Sequence, residues 1–408
     1  MRKGLDRLTR FRRAALLAGL SLFAHAPGQS APLGEILEDL KLEGYSLGLR
    51  PTYLGTVGGR AVFQNLFGEP TTLVWITDGT SEGTFPLAIG QRDDNSPALT
   101  YLGTAGLHLF LYLRDQGSES NDLLLAIDAQ GEVTRVLQES DGWDLTYLAD
   151  TSRHRVAGSS LAILAWNQSS PADVLSFIDG NTLARSAVYE SPAGGVQLLG
   201  ALGSQLVFSV ADYPTLQETL WKSAGSAATT APYATLSGQV IGAGAAAANS
   251  VVYFTLTEPG EAGNEVWTTN GSSGGSVRLT ALADPSAQVG IFHLDGDRAF
   301  FSVNDASFGQ ELFASDATPA GTRAVTAFGY HLPFSDGEAR IEIVGGKAYF
   351  IATDGVAANR LWSAGSRPEE LRSWVENVAF DYSQGFLAAA GGSVFVPTAD
   401  DQGGTHLF

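Results

Sequence analysis

One pattern returns along this chain at nearly constant intervals: two apolar residues, the second usually aromatic, then small polar residues and a turn. It reads Leu73-Val74-Trp75-Ile76-Thr77-Asp78-Gly79-Thr80 at its first full copy. It returns around Trp221, Trp267, Phe313 and Trp362, and weaker copies centre on Leu124 and Leu175. Taking the aromatic slot as anchor gives positions 75, 124, 175, 221, 267, 313, 362 and 408, spaced by 49, 51, 46, 46, 46, 49 and 46 residues. A period of that length is the signature of a repeat architecture, in which each unit buries its apolar faces against its neighbours.

Each unit holds four short β-rich runs and no helical periodicity. A strand precedes most anchors by 12 to 14 residues, as at Ala61-Val62-Phe63, Leu206-Val207-Phe208 and Val252-Tyr253-Phe254. Before it come another strand and a turn, as in Tyr53-Leu54-Gly55-Thr56-Val57-Gly58-Gly59 and its copy 48 residues on, Tyr101-Leu102-Gly103-Thr104-Ala105-Gly106. A fourth run follows the anchor, as in Val277-Arg278-Leu279-Thr280. Four strands in about 47 residues is the size of one propeller blade. The expected fold is therefore an all-β propeller of eight four-stranded blades, with seven as the alternative. Because Phe408 is the eighth anchor, the last blade lacks a fourth strand; residues near 36–40 are expected to supply it by pairing near 404–408, closing the ring. A helix at Ile36–Leu40 is the rival reading, since Glu and Leu also suit one.

The motif resembles the bacterial ELWxxDGT-repeat family, whose units are taken to form propeller-like blades on exported proteins. The resemblance runs from about residue 53 to the C-terminus and is best at Leu73–Thr84 and Glu311–Thr322. It weakens where Ala224 stands in place of the Asp and Ala317 in place of the Gly. It implies a fold and export, and no activity.

Two chemical readings compete for the motif residues. A Trp on a strand is a large apolar wedge, and replacement by Leu in the weak copies favours core over a sugar platform. In the Asp-Gly step, Asp accepts backbone hydrogen bonds and Gly supplies positive φ, which is a turn. Calcium is the alternative cofactor, but it takes six to eight oxygens and no Asp-x-Asp-x-Asp-Gly loop with a distal Glu is present. No other cofactor is indicated.

Residues 1–31 read as an export signal, with six basic residues followed by an apolar run from Ala14 to Ala24 that is too short to span a bilayer. The remainder, 32–408, is expected to form a single domain that is secreted, periplasmic or on the cell surface, with no membrane insertion after signal removal. Export without a single cysteine is more typical of bacterial than of animal secreted domains. Those residues carry 18 basic and 42 acidic side chains, net −24, which disfavours nucleic acid and anionic lipid and favours cations or basic partners.

No catalytic constellation stands out. The histidines from His108 onward are isolated, without zinc-like spacing, and no Gly-x-Ser-x-Gly or Walker loop occurs. The expected role is a monomeric, non-catalytic binding or scaffolding module for an unknown protein or glycan. The alternative is a propeller hydrolase or lyase acting on extracellular polysaccharide, its carboxylates gathered from separate blades. Assigning loops by the repeat places 22 acids and 3 bases on one side of the disc, Glu218 and Asp305 among the acids. The candidate binding residues there are Asp93, Asp94, Asp141, Trp143 and Asp144. Trp143 lies outside the repeat slot, where it could stack on a sugar or cation or fold back on the blade edge.

Overall fold

In the computed structural model, the described residues are 51–65, 71–80, 82–91, 98–114, 122–192, 194–248, 250–290, 292–306, 309–328, 341–352, 360–375 and, at the C-terminal end, 388–390, 392–395, 397–399 and 405–407. Seven antiparallel sheets follow one another along them, each built on four strands paired in chain order. Sheet 1 comprises Pro51–Val57, Arg60–Asn65, Thr71–Thr77 and Phe85–Gln91; sheet 2 comprises Ala98–Ala105, His108–Arg114, Leu123–Asp128 and Val133–Gln138. Sheet 3 is His154–Ala157, Ser160–Asn167, Ala172–Asp179 and Arg185–Ser191, with a short added strand, Trp143–Asp144. Sheet 4 is Val196–Leu202, Gln205–Asp212, Gln217–Ser223 and Ala231–Ser237; sheet 5 is Gln239–Ala247, Val252–Thr257, Glu265–Thr269 and Ser276–Arg278. Sheet 6 runs from Gln288–Val289 to Arg323–Ala324 and sheet 7 from Glu342–Val344 to Arg372–Val375. In the place of the eighth repeat stand two hairpins, Ala388–Ala390 with Ser393–Phe395 and Pro397–Ala399 with Thr405–Leu407. This succession of four-stranded meanders is an all-β fold of the β-propeller class. The expected closing strand near 36–40 and the export signal lie outside the described residues.

The chain divides into two compact units, Met1–Ala187 and Val188–Phe408. In the first, sheet 1 presents Val62, Val74 and Ile76 to Leu109, Leu111 and Leu125 of sheet 2. The other face of sheet 2, through Phe110, Tyr112 and Leu124, packs on Leu161, Ile163 and Ile178 of sheet 3. In the second unit, Leu199, Val207 and Leu220 of sheet 4 meet Val240, Val252 and Phe254 of sheet 5. Tyr253 and Val266 then meet Phe301 and Val303 of sheet 6, and Phe300 and Leu312 meet Phe350 and Trp362 of sheet 7. Middle sheets are thus apolar on both faces, so neighbouring residues of one strand serve different interfaces. Each fully buried Leu or Phe contributes roughly 1.5–3 kcal/mol, which makes these interfaces the main source of stability.

That two-sided burial corrects the register of the weak repeats. The first strands of sheets 1, 2 and 4 bulge at equivalent glycines, Gly55, Gly103 and Gly200, which align Phe63, Leu111 and Phe208 on the second strands. Opposite them stand Trp75, Leu125 and Trp221. The slot of sheet 2 is therefore Leu125, and that of sheet 3 is the buried Ser176, which faces Ile163. Leu124 and Leu175 sit one residue out, on the opposite faces of their sheets. A strand apolar on both parities gives no period-2 signal to fix register, and a slip of one residue changes face.

The glycines at the bulges also admit the next sheet. A Cβ at Gly55 would meet the Tyr101 ring at 2.9 Å, and one at Gly200 would meet Ala247 at 2.8 Å. First strands of successive sheets approach closely only because these positions lack a side chain.

The aromatic slots are core positions. Trp75 and Trp362 are each 8% exposed, and Trp221 and Trp267 are half-buried. Trp362 donates its indole N–H to Ala352 O at 3.1 Å and packs on Phe328.

Candidate functional site

The motif turn can be followed atom by atom. In sheet 1, Asp78 Oδ1 accepts Thr80 N at 2.9 Å and the Thr80 hydroxyl at 2.7 Å. Thr77 and Thr84 hydroxyls meet at 2.5 Å across the base of the turn, and Gly79 N donates to Thr77 Oγ1 at 3.0 Å. Sheet 6 repeats this with Asp316, Thr318, Ser315 and Thr322. In sheet 5, Asn270 takes the place of the Asp and accepts Ser272 N at 3.0 Å and its hydroxyl at 2.6 Å. Asp78 is held below the usual carboxylate range, chiefly by the Thr80 hydroxyl and then by the Thr80 N–H. These oxygens already serve the turn that carries them. Among the described residues no group of three or more His, Asp or Glu converges as a metal site.

A second set of acids sits at the start of the third strands, and there the acids are buried. Asp122 accepts the Tyr112 hydroxyl, and Asp173 accepts Arg153 Nη1 at 2.7 Å. Glu265 accepts Arg278 Nη2 at 2.7 Å, Leu282 N at 2.8 Å and the Thr280 hydroxyl; Thr280 Oγ1 in turn accepts Val266 N at 2.9 Å. Glu311 and Thr326 repeat the arrangement, with Leu312 N donating to Thr326 Oγ1 at 2.8 Å. The signal for this pair was in the sequence: Glu two residues before the aromatic slot, with Thr 15 residues on.

Glu218 and Asp305 belong with the buried acids and not with an acidic rim. Glu218 is fully buried on the third strand of sheet 4, and Asp305 is 1% exposed at the end of a strand in sheet 6. Placing them in loops set the strand ends two residues short. Burial pushes the Glu218 carboxyl up to about 7.

The candidate binding residues divide. Asp93 and Asp94 lie outside the described residues. Asp141 is exposed in a single turn of 3-10 helix, Glu139–Asp141, closed by Gly142 at φ 88°. Trp143 and Asp144 form the added strand of sheet 3, opposite Asn167 and Trp166. Asp144 Oδ1 accepts Thr146 N at 3.0 Å. Trp143 leans on the core between sheets 2 and 3, and the Arg185 guanidinium lies 4.2 Å from its ring centroid. Burial lowers the proton affinity of Arg185, and a desolvated cation over an indole face gains more from that contact than an exposed one. The loop behind them is anchored by buried Leu145 and Leu148 and by the His154 ring, whose Nδ1 meets Leu148 O at 2.9 Å. Burial, and next the neighbouring Arg155, lower the His154 pKa. Arg185 could not be found from sequence, because 42 residues separate it from Trp143.

No protein-family model matches the chain, and no curated protein matches it. Solved structures do resemble it at low identity. A prolyl endopeptidase is 12% identical over 88% of this chain and 53% of its own, with a TM-score of 0.48, so the chain spans about half that protein's length. An oligogalacturonate lyase in complex with manganese is 14% identical over 77% of this chain and 89% of its own, with a TM-score of 0.46. The β-propeller domain of the Trilobed protease from Pyrococcus furiosus is 10% identical over 76% of this chain and 92% of its own, with a TM-score of 0.42.

Proposed function

We propose that this chain is an exported β-propeller that works as a non-catalytic binding or scaffolding module for a cationic ligand or a basic protein partner. The observation that carries the reading is where the repeat's polar groups go. Asp78, Asn270 and Asp316 close their own turns, and Glu265 and Glu311 tie their own third and fourth strands. The repeated chemistry therefore builds the frame, and recognition falls to the loops that differ between repeats. A net charge of −24 over residues 32–408 supplies the field that steers a positively charged ligand to them.

The test uses the purified full chain as it is secreted, with calcium and polylysine as probes, across a range of ionic strength. A second sample carries Asp93→Asn, Asp94→Asn, Asp141→Asn and Asp144→Asn together. The expected result is polylysine binding that weakens with salt in the native chain, and a shallower salt slope in the variant. Unchanged affinity and slope would remove the acidic loops from the reading. Depolymerisation of a polysaccharide by the purified native chain would replace the module with the hydrolase or lyase alternative.

A further inference from the structure

One buried acid differs from its counterparts. Asp122, Asp173 and Glu218 each stand three residues before the slot of their sheet, on the face opposite it. Asp122 has the Tyr112 hydroxyl and Asp173 has the Arg153 guanidinium. Glu218 has neither; the hydroxyl near it is that of Ser209, which makes no bond of normal geometry. Its Oε2 accepts Val240 N at 3.3 Å, from the first strand of sheet 5. Beside it, Gln197 Nε2 donates to Val240 O at 3.1 Å. That bond fixes the orientation of the amide, because only its nitrogen can donate to a carbonyl.

Both side chains thus grip one residue of the next sheet, and both are left with an oxygen that makes no hydrogen bond. Glu218 Oε1 and Gln197 Oε1 are buried without a hydrogen-bond partner, and so is Ser209 Oγ by bond geometry, although the Ser209 hydroxyl stands close enough to the carboxyl to lower its pKa. Gln197 lies opposite Ser209, and Ser209 opposite Leu220, so all of them share the sheet face that carries Glu218. The ionisable groups on the surrounding strands are engaged elsewhere. Lys222 Nζ donates to Gly271 O at 3.1 Å, Asp212 accepts the Thr215 hydroxyl at 2.6 Å, and the Tyr233 and Thr269 hydroxyls meet at 3.1 Å. The first strands of sheets 4 and 5 carry no ionisable side chain. The Ser209 hydroxyl has one proton to give and two buried acceptors on its face, Glu218 Oε1 and Gln197 Oε1, so with Glu218 ionised one of them stays without a donor.

We infer that Glu218 is held as the neutral acid in the folded protein, donating its proton to Gln197 Oε1 or Ser209 Oγ, and that this proton latches Val240 of sheet 5 to sheet 4. Ionisation leaves a buried carboxylate with no cation beside it, and the cap on Val240 loosens. A carboxyl that moves from 4.5 to about 7 on folding binds its proton on the order of 300-fold more tightly in the folded chain. The linkage has a definite sign. The contribution is complete below the unfolded value of 4.5 and is lost as pH rises through the folded value of about 7.

The experiment follows the thermal midpoint of the full chain between pH 5 and 8, beside Glu218→Gln, whose amide N–H can replace the acid's O–H. The native midpoint should fall across that range relative to the variant's. The Val240 amide should lose hydrogen-exchange protection with rising pH beyond the intrinsic rate increase, and the variant's should not. Independently of any variant, the ¹³Cδ shift of Glu218 should titrate near 7. A titration near 4.5, or the same pH profile in both proteins, overturns the latch. Recovery of the native midpoint at pH 8 by sodium or potassium, absent in Glu218→Gln, also overturns it, because a cation then fills the gap.

Discussion

Sheet 1 and sheet 4 build the same turn from opposite residues. In sheet 1, Asp78 reaches forward to Thr80 N, and Gly83 lies where a Cβ would overlap the Asp78 carboxylate. In sheet 4 the Asp position is Ala224 and the Gly position is Thr229. The Thr229 hydroxyl accepts Ala224 N at 3.2 Å and Ser226 N at 3.3 Å, filling the space that the carboxylate fills in sheet 1. The rest of the turn is unchanged. Ser223 and Thr230 hydroxyls meet at 2.8 Å as Thr77 and Thr84 do, and Thr230 donates to Ser226 O as Thr84 does to Thr80 O. Asp and the second Gly of the motif are therefore one steric unit, since Asn270 with Gly275 and Asp316 with Gly321 show the same overlap. An alanine at the Asp position marks an exchanged pair and not a decayed repeat.

The slots of the two sheets give the largest expected contrast. Trp75 is 8% exposed, while Trp221 is half-buried against Tyr189 and Phe208. Trp75→Ala should cost roughly 3–5 kcal/mol by leaving a cavity. Trp221→Ala should cost measurably less in the same denaturant titration. Equal losses would mean that exposure does not rank the slots.

The next contrast breaks the pair in sheet 1. Gly83→Thr alone forces a side chain into the carboxylate's place and should cost about 1–3 kcal/mol, as overpacking does. Asp78→Ala with Gly83→Thr recreates the sheet 4 turn and should recover most of that loss. If the double variant is as unstable as the sum of the two single ones, the residues are not coupled.

Acid should separate the two turns as well. The Asp78 pKa is lowered by its bonds to Thr80, so its contribution is present above the ordinary value of 3.8 and is lost as pH falls through the folded value. Sheet 4 has no carboxylate at that place. Hydrogen exchange at the Thr80 amide should lose protection in acid, and at the Ser226 amide it should not. Loss at both would assign the effect to general acid unfolding.

The legible parts of this molecule were those encoded locally. The four-strand unit, the turn at Asp78 and the aromatic core slots follow from residues within one repeat. What stayed hidden depends on partners far along the chain. The Leu123–Ile127 run is apolar on both parities because sheets cover both of its faces, so its register is set by sheets 1 and 3. Glu218 looked like a loop acid because Val240 and Gln197, which explain it, belong to other strands. Arg185 over Trp143 and the donors of Asp122 and Asp173 were invisible for the same reason. Register and buried polar pairs are tertiary facts, and spacing alone carries only the period.

The smallest effect lies in sheet 4 and decides whether the exchange is specific. Thr229→Ala removes the hydroxyl that serves two backbone donors, at a turn exposed enough for water to replace part of the loss. The cost should be about 0.5–1 kcal/mol, that of one net hydrogen bond. Adding Ala224→Asp to Thr229→Ala should not repair it, because the alanine Cβ at 229 still occupies the space the carboxylate needs. Adding it to Thr229→Gly should, because that pair reproduces the Asp and Gly of sheet 1. Urea titrations of these variants give the comparison directly, since a common slope leaves only the midpoint to move. Repair in both backgrounds would show that a carboxylate at 224 needs only proximity to its donors. Repair only with glycine at 229 would show that the second glycine of the motif exists to make room for the Asp.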